Sequence, residues 1–364
     1  MILADQALDI PRHLSPPSLI DMKNLAYLTA IAALAASGIA SAQTAHSKPT
    51  GYTTQTLKPN MFNNVGLNVL TPSLASAALT GVSVDALTLT DSGANFTSAL
   101  PSGKMFTIEI TSGTAIGSVQ EFNSWTGTTI SLSSAITGLA VGDKYTIRQN
   151  RTLQEVFPSG VPLTGAATTP TNADVAWIPD GIGGYTKYWY KTNATLGAIG
   201  WWTTVDGTTR GVQVTTDIPL FYTDGMLVQR KSGVDKDLVL TGEVKTIGSN
   251  PYIINGFNSV SINPPVGLTL FTGGFYPTNF AGAATTPTNA DILWVPDGIG
   301  GYTKYWYKSN ATQGAVGWWT TVDGTTRGVL VVSDVVLPPA VLIQRKSTAK
   351  YMTLAVPSYY INLQ

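Results

Sequence analysis

The stretch GAATTPTNADVAWIPDGIGGYTKYWYKTNATLGAIGWWTTVDGTTRGV occupies residues 165–212, and GAATTPTNADILWVPDGIGGYTKYWYKSNATQGAVGWWTTVDGTTRGV occupies residues 282–329. Six positions differ, all mildly: Val175/Ile292, Ala176/Leu293, Ile178/Val295, Thr192/Ser309, Leu196/Gln313 and Ile199/Val316. Both copies run on to the same ending, Gln229-Arg230-Lys231-Ser232 and Gln344-Arg345-Lys346-Ser347. A repeat this close means two copies of one supersecondary unit, and it decides the architecture. Within each copy the pattern is that of β-structure. Residues 174–178 read as a strand, and Leu293 and Val295 predict that its second copy is buried on both faces. The turn Asp180-Gly181-Ile182-Gly183-Gly184 supplies positive φ cheaply. Residues 185–191 return as a hairpin partner, with Tyr185, Lys187, Trp189 and Lys191 on one face and Thr186, Tyr188 and Tyr190 on the other. Residues 200–205 and 226–230 give a third and a fourth strand. No stretch after residue 42 sustains a 3.6-residue period. The fold class is all-β: tandem antiparallel β-sandwich or barrel units with a small inserted β-module after a signal peptide.

Outward from the copies, residues 1–42 form a leader, with the signal peptide at 22–42. Met22-Lys23-Asn24 precedes an apolar run over 25–39, and Ala40-Ser41-Ala42 precedes Gln43. The run is too short for a stable span, so cleavage after Ala42 is expected, with Met22 as initiator and no membrane span in the mature chain. Residues 43–75 read as an extended, mobile segment and a first strand. Residues 76–150 read as an inserted small β-barrel module, its short β-prone runs separated by turns such as Asp91-Ser92-Gly93 and Thr111-Ser112-Gly113. Repeat unit 1 spans 151–233, repeat unit 2 spans 234–348, and a C-terminal strand occupies 349–364. Phe62-Asn63-Asn64-Val65-Gly66-Leu67-Asn68 returns as Phe257-Asn258-Ser259-Val260-Ser261-Ile262-Asn263, so the repeating unit is larger than the quoted block. The C-terminal strand begins a further unit and is expected to leave a sheet edge without local partners.

Composition narrows the chemistry. Only 12% of residues are charged and the formal net charge is zero, which gives no basic surface for nucleic acid. Cysteine is absent, which excludes disulfides, thiolate metal sites and cysteine nucleophiles. Histidine occurs only at His13 and His46, so a Ser-His-Asp or His-metal mechanism lacks its base or ligand. Asp174, Asp180, Asp206, Glu109 and Glu243 are the carboxylates from which a glycoside-hydrolysing pair would be drawn. Asp180 and Asp206 read first as hairpin corners. A calcium site at the Asp180 or Asp297 turn falls well short of the roughly six to eight oxygens that ion takes. No catalytic residue, cofactor or metal is assigned, and a non-enzymatic protein is expected.

Eight of the nine tryptophans lie inside the copies. Trp189, Trp201, Trp202, Trp306, Trp318 and Trp319 make a candidate aromatic contact surface, read either as core or as stacking platforms for sugars. Adjacent residues of a strand point to opposite faces, so one of Trp201 and Trp202 is free to face outward.

The leader, the Leu89-Thr90-Asp91-Ser92-Gly93 and Ile110-Thr111-Ser112-Gly113 turns and the Trp-rich copies ending in Gln-Arg-Lys together resemble a family of uncharacterised secreted bacterial β-proteins. The likeness spans most of the chain after the leader, and its motifs are turns and aromatics. It implies an exported, β-rich protein, at the cell surface or beyond, and brings no activity or site residues. The expectation drawn is a secreted structural protein whose partner is itself, a homopolymer forming an extracellular filament, sheath or surface layer by β-strand addition. Phe62, Val65 and Leu67 in the first strand and Met352, Leu354 and Val356 in the last are the candidate subunit-contact positions. The alternative is a glycan-binding or adhesive cell-surface module that uses exposed aromatics. A hydrolase would require two carboxylates facing each other in a cleft.

Overall fold

The structure is a computed structural model that describes residues 48–231, 233–264, 267–276 and 279–361; the expected signal peptide lies outside them. In chain order, β1 (Thr50–Leu57) and β2 (Met61–Val65) precede the module strands β3 (Ser73–Ala78), β4 (Gly81–Val82), β5 (Thr88–Thr90), β6 (Phe106–Ile110), β7 (Val119–Phe122), β8 (Ser124–Trp125), β9 (Thr129–Ser131) and β10 (Lys144–Gln149). The first copy carries β11 (Arg151–Thr152), β12 (Val175–Pro179), β13 (Tyr185–Lys191), β14 (Gly200–Thr204), β15 (Pro219–Leu220) and β16 (Met226–Arg230). After β17 (Lys236–Glu243) the second copy carries β18 (Tyr252–Ile253), β19 (Gly256–Ser261), β20 (Ile292–Pro296), β21 (Tyr302–Lys308), β22 (Gly317–Thr321), β23 (Arg327–Leu330) and β24 (Ala340–Arg345), followed by β25 (Lys350–Tyr351). The chain is all-β, as its periodicity predicts.

Each copy forms one antiparallel sheet, ordered β14-β13-β12-β16-β2 in the first and β23-β22-β21-β20-β24-β19 in the second. The recurrence of Phe62-Asn63 as Phe257-Asn258 has its reason here. Each strand is the partner of the Gln-Arg strand of its own copy, with Phe62 opposite Gln229 and Phe257 opposite Gln344. One face of the first sheet packs Val65, Ala176, Trp201 and Val228 into a core shared with Leu57 and Leu240. Its opposite face buries Ala173, Val175 and Trp189 in a smaller cluster. The module's two four-stranded sheets, β3-β10-β6-β7 and β4-β5-β9-β8, close over Leu89, Phe96, Phe106, Ile108 and Ile147. Of the two forms that its strand spacing suggests, barrel or sandwich, the two sheets take the sandwich: among the described residues no edge strand of one sheet pairs with the other. A buried Glu109–Lys245 ion pair ties it to the segment after β17.

The two ends of the chain differ from expectation. The segment expected to be mobile supplies β1, which pairs along its whole length with β17, Leu57 opposite Lys236. The last strand, expected to lack partners, repeats that pairing in shorter form: β25 pairs with β18, Ile253 opposite Lys350. Ile253 and Lys350 stand in the second copy where Leu57 and Lys236 stand in the first. Met352 and Leu354 continue into the core of the second copy at 0% and 1% exposure, and Val356 is half-buried. Hydrophobic residues that alternate in a terminal strand need a core, and this chain supplies its own. Val65 and Leu67 are likewise buried, while Phe62 lies on the outer face with its ring 5.2 Å from that of Trp177.

A buried charge pair fastens each copy. Asp174, fully buried, accepts from the Thr164 and Lys231 amides at 2.8 and 2.9 Å and from Arg230 Nε at 3.1 Å. Arg230 also donates to the carbonyls of Leu57 and Val234, both at 2.7 Å, so it joins β1 and the link to β17 to the sheet. Asp291 and Arg345 repeat the arrangement, with Ala281 and Lys346 amides at 2.8 Å. Breaking such a pair strands the other charge. Asp174→Ala is therefore expected to cost about 3–5 kcal/mol in urea unfolding, and the Asp174→Ala/Arg230→Met double variant to lose less than the single one. Equal losses would contradict this account.

Candidate functional site

The two copies face each other reciprocally, and the contact is unequal. On one side the turn before β21 closes on β2. Tyr302 Oη donates to Asn64 Oδ1 at 2.8 Å, and Lys58 Nζ donates to the Gly298 carbonyl at 2.6 Å. A Cβ on Gly66 would sit 1.9 Å from the Pro339 carbonyl oxygen, so glycine alone permits this approach. On the other side the equivalent turn, before β13, faces β18 and β19. There the residue equivalent to Asn64 is Ser259 and the residue equivalent to Tyr302 is Tyr185. Serine is too short to complete the bond. Ser259 is 4% exposed and its Oγ has no hydrogen-bond partner. The backbone still closes at the base, with Gly225 N donating to Ser259 O at 3.0 Å and Ser261 N donating to Thr223 O at 2.9 Å.

Above that base a cleft opens. Two adjoining cavities of about 190 and 220 Å³ share Glu121, Pro179, Gly181, Phe221 and Asp224 as walls. The larger is completed by Tyr185 and by Tyr252, Phe257 and Ser259 of the second copy. Tyr252 and Phe257 are 54% and 42% exposed, so their rings are open to a ligand. Glu121 comes from β7 of the module, and Asp224 from the turn before β16. Another cavity, of about 250 Å³, lies between Lys104 and Asp217, whose exposed ion pair already satisfies its charges.

Desolvation governs the electrostatics of the cleft. Burial, reinforced by the Glu121 carboxylate, pushes the Asp224 carboxyl up to about 7. Burial also raises Glu121, opposed by the hydrogen bond that it accepts from Asn150 Nδ2. The Tyr185 phenol is pushed up to about 12, first by burial and then by the neighbouring Tyr302, Asp224 and Asp180. The Asp224 carboxyl keeps its proton up to near neutral pH beside Glu121, in a desolvated cleft whose oxygens are suited to accepting hydrogen bonds from a ligand.

The residues singled out from the sequence fall elsewhere. Trp189 and Trp306 are 0% exposed, and Trp201 and Trp318 are buried in the two main cores, so these four offer no platform. Trp202, buried, and Trp319, half-buried, lie under Arg210 and Arg327, whose guanidinium carbons stand 5.2 and 5.1 Å from the rings. Large aromatic rings in a chain with little else of their size are drawn into the core. Asp180 and Asp297 turn their Oδ1 atoms to backbone amides of their own turns. Asp206 is held well below the ordinary carboxylate range by the Thr209 and Thr208 amides. Asp174 and Glu109 are in buried ion pairs, and Glu243 pairs with Arg148. Among the described residues no three carboxylates or histidines gather as a metal site would require. Sequence reasoning missed Glu121, Asp224, Tyr252, Phe257 and Ser259. One signal was available: Asp224 stands where the second copy has Pro339, and Ser259 where the first has Asn64. Both positions lie outside the near-identical blocks, where the copies differ at many other residues as well.

Comparison with family models, curated proteins and solved structures returned no match. The raised Asp224 carboxyl gives a test of the geometry. In the unfolded chain it ionises near pH 4, and in the folded chain near 7. The folded state holds the proton more tightly between those values, so stability from this group falls as the pH rises from about 4 to 7. Asp224→Asn is expected to melt higher than the parent at pH 8 and to lose that advantage by pH 4. A gap that is constant over that range would contradict the assignment.

Proposed function

We propose that this chain is an exported saccharide-binding protein whose ligand lies in the cleft between its copies. The observation that carries the reading is the pairing, in one concave site, of exposed Tyr252 and Phe257 rings with Glu121, Asp224 and Ser259. Sugar rings present apolar faces to aromatics and hydroxyls to oxygen acceptors, and binding sites of that kind are concave, largely apolar and set with a few convergent polar groups. Export, expected from residues 22–42, places the cleft where polysaccharides are met. The test is a glycan array on the purified protein followed by calorimetry on the best ligand. Tyr252→Ala is expected to weaken that ligand about tenfold without lowering the melting temperature. Binding unaffected by Tyr252→Ala and Phe257→Ala together would remove the cleft as the site.

A homopolymeric structural subunit is the second reading, favoured by one observation. The outer edge of β1, an eight-residue strand, pairs with no other described strand, and an open edge is a template for strand addition. Negative-stain microscopy of the purified protein is expected to show fibres that Thr54→Lys, on the exposed side of β1, abolishes. Dispersed single particles at high concentration would dismiss it.

A further inference from the structure

The cleft is acidic as well as aromatic. Glu121 of the module, Asp180 of the turn before β13 and Asp224 of the turn before β16 line it, and no lysine or arginine does. The basic groups of the surrounding elements are engaged elsewhere. Lys187 of β13 lies 4.2 Å from the Trp177 ring centre and donates to the Val205 carbonyl at 2.7 Å. Arg148 of β10 is paired with Glu243. Asp180 is committed to its own turn, which leaves Glu121 and Asp224 as the acceptors facing the space. Ser259, a wall residue of the same cavity, keeps its Oγ buried and without a hydrogen-bond partner.

Two carboxylates on one cavity, with an unpartnered hydroxyl in its wall, suit the donor-only chemistry of a primary ammonium group. A cation seated there offsets the repulsion between the two buried carboxylates, which a neutral hydroxyl does not. The Tyr252 and Phe257 rings at the rim favour a cation further, through their negative faces. We propose that the saccharide bound in this cleft is an amino sugar, its protonated amine seated between Glu121 and Asp224. The inference rests on the saccharide reading above and adds the charge of the ligand.

The test compares two probes that differ only in that charge, a β-1,4-linked glucosamine tetramer and its fully N-acetylated counterpart, by calorimetry at pH 6.5. The amine is expected to bind about tenfold more tightly or better, the scale of one charge-assisted hydrogen bond. Glu121→Gln and Asp224→Asn are each expected to weaken the glucosamine tetramer more than the acetylated one and so to close the gap between them. Equal binding of both tetramers overturns the amino-sugar inference and leaves saccharide binding standing. Binding of neither overturns both. Calcium chloride titrated alone covers the inorganic alternative: tight calcium binding that is lost in Asp224→Asn and excludes the glucosamine tetramer would reassign the acidic site to a metal ion.

Discussion

The buried pairing of Asp174 with Arg230, and of Asp291 with Arg345, is the constraint on which the rest of this structure depends. Each aspartate sits just before the first strand of its copy and each arginine at the end of the last. Bringing them together folds the whole copy back on itself. The aspartate satisfies backbone amides at both junctions; Arg230 reaches the Leu57 carbonyl of β1, and Arg345 reaches the Asn279 carbonyl between β19 and β20. An unpaired charge at such a site is too costly for the sheet to form in another register. The same pair explains why β1 and β25 are retained within the chain, since the links leading to the closing ribbon strands leave directly from the arginine.

Duplication then sets a problem that two identical units meet by facing each other through equivalent surfaces. Perfect equivalence would make both reciprocal contacts the same. Here one contact is closed by Asn64 and Tyr302, and the other is left open by the shorter Ser259. The opening is kept polar by Asp224, in a turn whose counterpart is Pro338-Pro339, and by Glu121 from a module that the second copy lacks. Burial of two like charges is unfavourable for the fold alone. A chain that retains them beside an unsatisfied hydroxyl has the makings of a ligand site, because a ligand can supply what the fold withholds.

The tryptophans point in the opposite direction. Their abundance and spacing draw attention in the sequence, yet the pairs Trp189 with Trp202 and Trp306 with Trp319 stand opposite each other on adjacent strands and are covered by the protein. Within the copies the half-buried tryptophan rings are those of Trp177 and Trp294, each capped by a lysine ammonium at 4.2 Å, together with Trp319 beneath Arg327. Rings more open to solvent include those of Tyr252 and Phe257 at the junction of the copies.

The sequence by itself determined what depends on neighbours along the chain: the all-β class from two-residue alternation, the turns from Asp-Gly and Gly-Gly pairs, the two copies from their identity, and the recurrence of the Phe-Asn strand. Only the tertiary structure decided that the terminal strands pair within the chain, that the module is a sandwich, and that Glu121, Asp224 and Ser259 line one cleft. Those three residues come from the module, the first copy and the second. Nothing local couples them, because their proximity follows from how three separately folded sheets pack, and packing is set by the shape and burial of whole faces.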